Sequence, residues 1–176
     1  LFVALLKQVL DVAFARAARS GRLDPPLLMV LDEAANIAPV AELDVLAATC
    51  AGHGIQLVTV WQDLAQITSR YGQRAPTVLN NHRARLFLSG IAEPSTLEHV
   101  RLLAGDQEVV MTSSTRDRRG PASTTVSRSW RPMVPPGALR RLPRGTGLLV
   151  YGELPPVTLR LVPYWARRDL KARGPR

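Results

Sequence analysis

The sequence contains a single cysteine, Cys50, which excludes an internal disulfide and any multi-thiolate metal site. Its surroundings, "AATCAGHG", read as the end of a helix, so a packed, inert thiol is expected there. Lysine is almost missing: of 23 basic residues, only Lys7 and Lys171 are lysines. Neither stands in a G-x-x-x-x-G-K-S/T context, so this chain carries no phosphate loop of that kind. Aromatic residues make up only 5%, which leaves aliphatic side chains to fill the core. No apolar run approaches the roughly 20 residues that cross a bilayer as a helix, and no signal-peptide pattern opens the chain. Internal repeats and low-complexity segments are missing too. There is no initiating methionine. The first residues, "LFVALLKQVLDVAFARAARS", enter an amphipathic or largely buried helix without a cap, which gives the expectation of a piece of something longer.

What is present is enough for one domain. A chain of 176 residues with 46% apolar content can bury a real core. The net charge of +9 suits nucleic acid or an anionic membrane surface without choosing between them. Part of that charge lies in residues 166–176, read as a solvated, flexible tail.

The hydrophobic pattern alternates between helix and strand. Residues 1–19 read as a helix stopped by Ser20-Gly21. The prolines of "LDPP" force an extended lead into Leu27–Leu31, a continuous apolar run of the kind buried on both faces of a parallel sheet. A helix is expected over 40–51 after Pro39, then a strand in "IQLVTVW", 55–61. Together these form a βαβ unit. Helices follow over 63–71 and around Thr77–His82. "RARLFLSG" supplies a third strand, and "EPSTLEHVRLLAG" a helix whose N-terminus lies at Glu93 to Thr96. Beyond Gly105, "QEVVMTSST" and "STTVSRSW" read as strands flanking the charged turn "RDRRGPA". "PPGALRRLP" reads as a short helix, and "GTGLLVYGELPPVTLRLVPYW" as a β-hairpin turning at Gly152 to Pro156. The fold class expected is α/β, with a mostly parallel sheet, helices on both faces and a C-terminal β-hairpin.

The most informative stretch is "LLMVLDEAANIAPV". An apolar strand runs straight into Asp32 and Glu33, and two adjacent carboxylates at a buried strand end need compensation. In open α/β sheets, ligands bind at the carboxyl ends of strands. Gln62, at the end of the next strand, should share that edge. An acid–acid–amide set of this kind serves a RecA-like nucleoside triphosphatase. The first carboxylate holds the Mg²⁺ shell through water; the second polarises the attacking water, and the amide touches that water or the terminal phosphate. The plainer reading is a strand that ends in a solvated acidic turn.

The segment "LLMVLDEAANIAPVAELDVLAATCAGHGIQLVTVWQDLAQITSRYG", with "TVLNNHRARLFLSG" after it, resembles the type IV secretion coupling proteins, the TraG/TraD-like conjugation ATPases. "RPMVPPGALRRLPRGTGLLVYGELPPVTLRLVPYW" resembles that family's closing segment. The resemblance spans about residues 1–165 and implies the C-terminal half of a RecA-like P-loop domain. It makes Asp32 and Glu33 the Walker B pair and Gln62 the sensor, with Asp32 the Mg²⁺ residue of an ATP site. Asn80-Asn81 match the family's asparagine turn, read as structural. The phosphate loop, the membrane helices and an all-α insertion would lie upstream, so this segment alone is expected not to hydrolyse ATP. Some relatives place an arginine finger near "CAGHG"; here Arg83 and Arg85 are the nearest candidates for a trans arginine, or else they form a salt bridge or exposed face. His53 is read as a helix-terminus histidine rather than a subunit contact. The resemblance further implies a homo-oligomeric ring, a hexamer, at the cytoplasmic face of the bacterial plasma membrane. Its partners would be a relaxase nucleoprotein or effector substrate and the type IV secretion channel. The loop 114–128 offers Arg116, Arg118, Arg119 and Arg128 for sequence-independent DNA contact, or is simply an exposed hairpin loop.

Two other readings stand beside an ATP-driven coupling protein. An FtsK-like or HerA-like DNA translocase would share the motor residues, although nothing here resembles a winged-helix DNA reader. A non-catalytic substrate-docking module from a split coupling protein would account for the missing phosphate loop.

Overall fold

The computed structural model describes residues 2–37, 39–115 and 123–171. The chain forms two compact units, Leu1–Arg83 and Ala84–Arg176.

The first unit contains α1 (Phe2–Ser20), β1 (Leu27–Leu31), α2 (Leu43–Thr49), β2 (Ile55–Thr59), α3 (Leu64–Tyr71) and α4 (Ala75–Asn81). Strands β1 and β2 pair in parallel, Leu27 opposite Ile55 and Leu31 opposite Thr59. Their inner face supplies Met29, Leu31 and Ile55 to a core shared with Leu10 and Ala13 of α1, Leu43 and Leu46 of α2, Ile67 and Tyr71 of α3, and Ala75 and Val78 of α4. All four helices therefore feed one side of the sheet. The other side carries Leu28, Val30, Val58 and Val60, all exposed. The apolar run 27–31 predicts burial on both faces, but the described residues cover only one. Helix α1 repeats this asymmetry. Leu10, Ala13 and Ala17 are buried at helical spacing, while Phe2, Leu5, Val9 and Val12 are exposed.

Gly54 fixes the start of β2. Its φ of 77° ends the short 3₁₀ turn Cys50–His53, and an added Cβ would lie 2.7 Å from the Leu23 carbonyl oxygen. The close approach lets Leu27 N–H donate to Gly54 O at 3.0 Å, setting the register of the parallel pair. Cys50 is buried in the core, and burial pushes its thiol pKa up. His53 closes the 3₁₀ turn, as read from the sequence, with Nδ1 at 3.0 Å from Thr49 O and its ring edge-on to Phe14.

The second unit contains β3 (Ala84–Leu88), α5 (Pro94–Ala104), β4 (Asp106–Thr115), β5 (Ser123–Pro132), α6 (Pro136–Arg140), β6 (Thr146–Tyr151), β7 (Val157–Arg160) and α7 (Arg168–Lys171). The mixed α/β class expected from the sequence is the one observed, but the strand directions are mixed. Among the described residues, parallel pairing is confined to β1–β2. Strands β3, β6 and β7 form an antiparallel sheet, and β4–β5 a separate antiparallel ribbon. The expected mostly parallel sheet is corrected on this point, because β3 finds its partner in β6, far along the chain, and periodicity carries no strand direction. The C-terminal hairpin is present as β6–β7. A smaller core of Val100, Leu139 and Leu148, flanked by Phe87, Ile91 and Leu97, lies under α5 and α6.

Helix α5 begins where the sequence places it. The Glu93 carboxylate accepts from Ser95 N–H at 2.8 Å and from the N–H and hydroxyl of Thr96 at 2.7 Å. These bonds satisfy amides left open by the helix start. The Thr96 hydroxyl first, then the Ser95 amide and hydroxyl, hold the Glu93 pKa down to about 2.

Candidate functional site

The site is built on the carboxyl ends of β1 and β2. Because the two strands are parallel and in register, both ends lie on one edge of the pair. The ladder runs past the strands proper: Val60 N–H donates to Leu31 O at 2.9 Å, and Ala34 N–H donates to Val60 O at 3.1 Å. Asp32 and Glu33 are thus lifted out of the ladder between two backbone bonds to β2. Both are exposed. Glu33 takes a φ of 48°, the left-handed region, which costs a non-glycine residue roughly 1–2 kcal/mol. Three bonds hold it there. Its own N–H donates to Asp32 Oδ1 at 3.0 Å, and its carbonyl accepts from Asn36 and Ile37 at 2.8 and 3.0 Å. Asn36 Nδ2 also donates to Glu33 Oε2 at 3.3 Å, steadying the carboxylate.

Gln62 follows β2 on the same edge and is exposed. Its backbone N–H donates to Gln66 Oε1 at 3.2 Å, while Asp63 caps α3 by accepting from Gln66 N–H at 2.9 Å. Position 62 is therefore fixed by the helix that follows it.

Further contacts, which sequence reading missed, support this edge. Trp61 Nε1–H donates to Thr59 Oγ1 at 2.9 Å, and Thr59 Oγ1 lies 3.2 Å from His82 Nε2. His82 Nδ1 lies 2.7 Å from Val78 O, an acceptor only, so Nδ1 donates there and the ring is held with Nε2 toward the Thr59 hydroxyl. The Trp61 indole also meets Tyr71 edge-on. Tyr71, itself buried, donates its hydroxyl to Val40 O at 2.9 Å, and Arg70 Nη2 donates to Pro39 O at 3.2 Å. Burial pushes the Tyr71 pKa up. The "YG" helix end therefore ties down the chain that leaves the carboxylate turn. Arg74 pairs with Asp44 at 3.1 Å, and Asn81 Nδ2 donates to Asp44 O at 3.0 Å, so this half of the asparagine pair is structural. No sequence signal marks the contacts of Thr59 with His82, of Pro39 and Val40 with Arg70 and Tyr71, or of Asp44 with Arg74 and Asn81, because each joins positions more than 20 residues apart.

The candidate arginines fall in different places. Arg83 is exposed at the end of the first unit. Arg85 is half-buried in β3 on the Phe87 side. Burial lowers its pKa, and burial together with the Arg85 charge lowers that of His99 on α5. Arg128 lies on β5, exposed and 3.6 Å from Glu108. Arg116, Arg118 and Arg119 lie outside the described residues.

The residues fit a hydrated divalent cation better than a protein cage. Among the described residues, no three His, Cys, Asp or Glu side chains come together. Asp32 offers an exposed carboxylate with one oxygen already oriented by Glu33 N–H. That matches Mg²⁺, which keeps several waters and takes one or two carboxylates plus substrate phosphates.

Residues 26–144 match the family described as the TraM recognition site of TraD and TraG. The chain belongs to this family. The match covers the carboxylate turn, strand β2 and the whole β4–β5 ribbon. No curated protein matches the chain. Among solved structures, the chain is similar to the bacterial conjugative coupling protein TrwBdeltaN70 in its unbound form, with 21% identity, a TM-score of 0.67, and coverage of 81% of this chain and 32% of that one. TrwB with the GTP analogue GDPNP matches at 23% identity and TM-score 0.61, over 81% of this chain and 32% of that chain. TrwB with ADP and Mg²⁺ matches at 24% and 0.61, over 78% and 30% of the respective chains. At these identities the likeness establishes the fold. The chain spans about a third of the length of the TrwB structures it matches.

Proposed function

We propose that this TraG/TraD-family chain supplies the Walker B and sensor part of an ATP-driven coupling protein, which passes DNA, nucleoprotein or effector substrates into a type IV secretion channel. The observation that carries the reading is the carboxylate turn: Asp32 and Glu33 held out of a parallel ladder, on the same edge as Gln62. Strained backbone at a polar strand end is a recurrent feature of active sites.

In this reading Asp32 holds Mg²⁺ through water. The ion, when bound, neutralises charge on the phosphates of ATP. Glu33 orients the attacking water and takes up its proton, aided by the Asn36 amide on its carboxylate. Gln62 hydrogen-bonds that water or the terminal phosphate. The phosphate loop belongs to a part of the protein outside this sequence. The TrwB complexes with ATP and GTP analogues and with ADP and Mg²⁺ support nucleotide and Mg²⁺ as ligands of the whole protein. A ring of subunits, a trans arginine from Arg83, and placement at the cytoplasmic face of the membrane complete the proposal by resemblance. Among the described residues, no helix is long and apolar enough to cross a membrane.

The family description also supports a recognition role, with a relaxosome protein of the TraM kind docking on this region. The test is Glu33→Gln in the intact protein. A change in general-base function reduces ATP turnover by about 10²–10⁴-fold, with nucleotide binding and partner docking retained. Turnover at the unsubstituted level would remove Glu33 from the chemistry.

A further inference from the structure

The charge of the chain is divided unevenly between its units. Residues 1–83 hold seven Lys or Arg against seven Asp or Glu, whereas residues 84–176 hold sixteen against seven. The whole net charge of +9 therefore belongs to the second unit. Three of its arginines have acidic partners: Arg101 is paired with Glu98, Arg128 with Glu108 and Arg167 with Asp169.

Others have none: Arg140, Arg141, Arg144 and Arg160 are exposed without an ion pair among the described residues, and Arg141 Nε–H donates to Gly137 O at 2.9 Å. The fold gathers them at one end of the unit. From α6 to β6 the chain runs through successive tight turns, Arg141 N–H to Ala138 O, Leu142 N–H to Leu139 O, and Thr146 N–H to Pro143 O. The β6–β7 register then sets Arg160 opposite Thr146, and Leu161 N–H donates to Gly145 O at 2.7 Å. The only acid between Met133 and Arg168 is Glu153. It lies in the β6–β7 turn at the far end of the hairpin, a strand length of roughly 16 Å away at 3.3 Å per residue.

Aromatic surface stands just beyond the same strand end. Tyr164 and Trp165, in the 3₁₀ turn after β7, are 54% and 64% exposed, with rings edge-on at 5.3 Å. Large aromatic rings left in water beside guanidinium groups without an acidic partner form the combination that holds single-stranded nucleic acid: phosphates on the arginines, unpaired bases stacked on the rings. A duplex would leave the rings without a base face to stack on. A membrane surface is the poorer fit, because α7, the helix that follows, has only four residues and offers no amphipathic face of useful length.

We infer that the surface formed by Arg140, Arg141, Arg144, Arg160, Tyr164 and Trp165 binds single-stranded nucleic acid without reading its sequence. This deepens the cargo part of the proposed function and rests on it for the choice of a nucleic-acid partner, but it uses neither Asp32 nor Glu33. It rests on residues other than 114–128, where sequence reading puts the contact and where no aromatic residue is available.

The test is fluorescence anisotropy of a labelled oligothymidylate of about 20 nucleotides, longer than the ~4–16-nucleotide sites of comparable folds, titrated with the intact protein at several salt concentrations. Replacing Arg140, Arg144 and Arg160 together by alanine weakens binding at least about tenfold and lowers the slope of log affinity against log salt by about 2, at ~0.7 per lost phosphate contact. The matching triple lysine variant keeps the slope, which separates lost charge from lost fold. Trp165→Ala weakens binding about tenfold, in the range of ~1–3 kcal/mol per stacked base, with the salt slope unchanged. Arg101→Ala, which removes a paired arginine, and Glu33→Gln leave affinity unchanged. If Glu33→Gln abolishes turnover while the arginine variants bind normally, the surface assignment fails and the motor reading stands. An alanine triple with unaltered affinity and slope overturns the inference. So does one that loses binding only to phosphatidylserine vesicles, since the surface would then face a membrane.

Discussion

Glu33 carries two burdens in one residue. Its side chain is the candidate base, and its backbone occupies the left-handed region at φ 48°. The turn keeps it there with the Ala34–Val60 bond on one side and the Asn36 and Ile37 bonds to its carbonyl on the other. Gly54, at the opposite end of the same strand pair, is the other residue whose backbone decides the geometry. Gly54→Ala meets both a positive φ and a contact of 2.7 Å with backbone, so no side-chain adjustment relieves it. The expected loss is about 2–4 kcal/mol, from ~1–2 for the left-handed residue and ~1–3 for overpacking. It would be read as a fall in the denaturation midpoint. Loss below about 0.5 kcal/mol would mean that β1 and β2 are not locked together through this residue.

At the scale of elements, the α5 cap gives a pH signature. The Glu93 pKa is held at about 2, below its ordinary value of 4.5, so the unfolded chain binds the proton more readily than the folded one. The stability that Glu93 contributes is full above about 4.5 and is lost as pH falls toward about 2. The wild-type melting temperature should therefore exceed that of Glu93→Gln at neutral pH, with the difference closing across that window. A gap that stays constant from pH 6 to pH 2 would contradict the cap. This element was legible in the sequence, since Glu93 precedes Pro94, Ser95 and Thr96 and local bonding alone defines the helix start. The βαβ order, the position of Gln62 and the final hairpin were legible for the same reason: periodicity and turn residues are local. Strand direction was not. Nothing in "RARLFLSG" indicates that Leu86 will lie opposite Leu149 in an antiparallel pair. The support around the carboxylate turn was hidden too, because Tyr71 reaches Val40, and Arg74 reaches Asp44, only after the chain has folded back. The same contacts explain why α2 begins at Leu43 rather than near residue 40: the carbonyls of Pro39 and Val40 are taken by Arg70 and Tyr71.

At the scale of the whole molecule, the first unit is half-covered. Leu28, Val30, Val58 and Val60 form a contiguous apolar face on β1–β2, and Phe2, Leu5, Val9 and Val12 a second stripe on α1. Exposed apolar surface of this kind drives association. Produced alone, residues 1–176 are expected to elute from a sizing column as oligomers or aggregates, and Val30→Lys with Val58→Lys should shift them toward monomer. A wild-type chain that is monomeric at micromolar concentration would mean these faces need no cover. The neutral first unit and the strongly basic second unit also divide the labour suggested by the chemistry. One presents the carboxylate turn at a strand edge, and the other presents arginines and aromatic rings to a polyanion.

The most direct test of the account is ATP turnover by the intact protein with Glu33 replaced by glutamine, measured together with nucleotide binding. The account predicts a loss of about 10²–10⁴-fold in turnover with binding preserved. Turnover equal to that of the unsubstituted protein would contradict it.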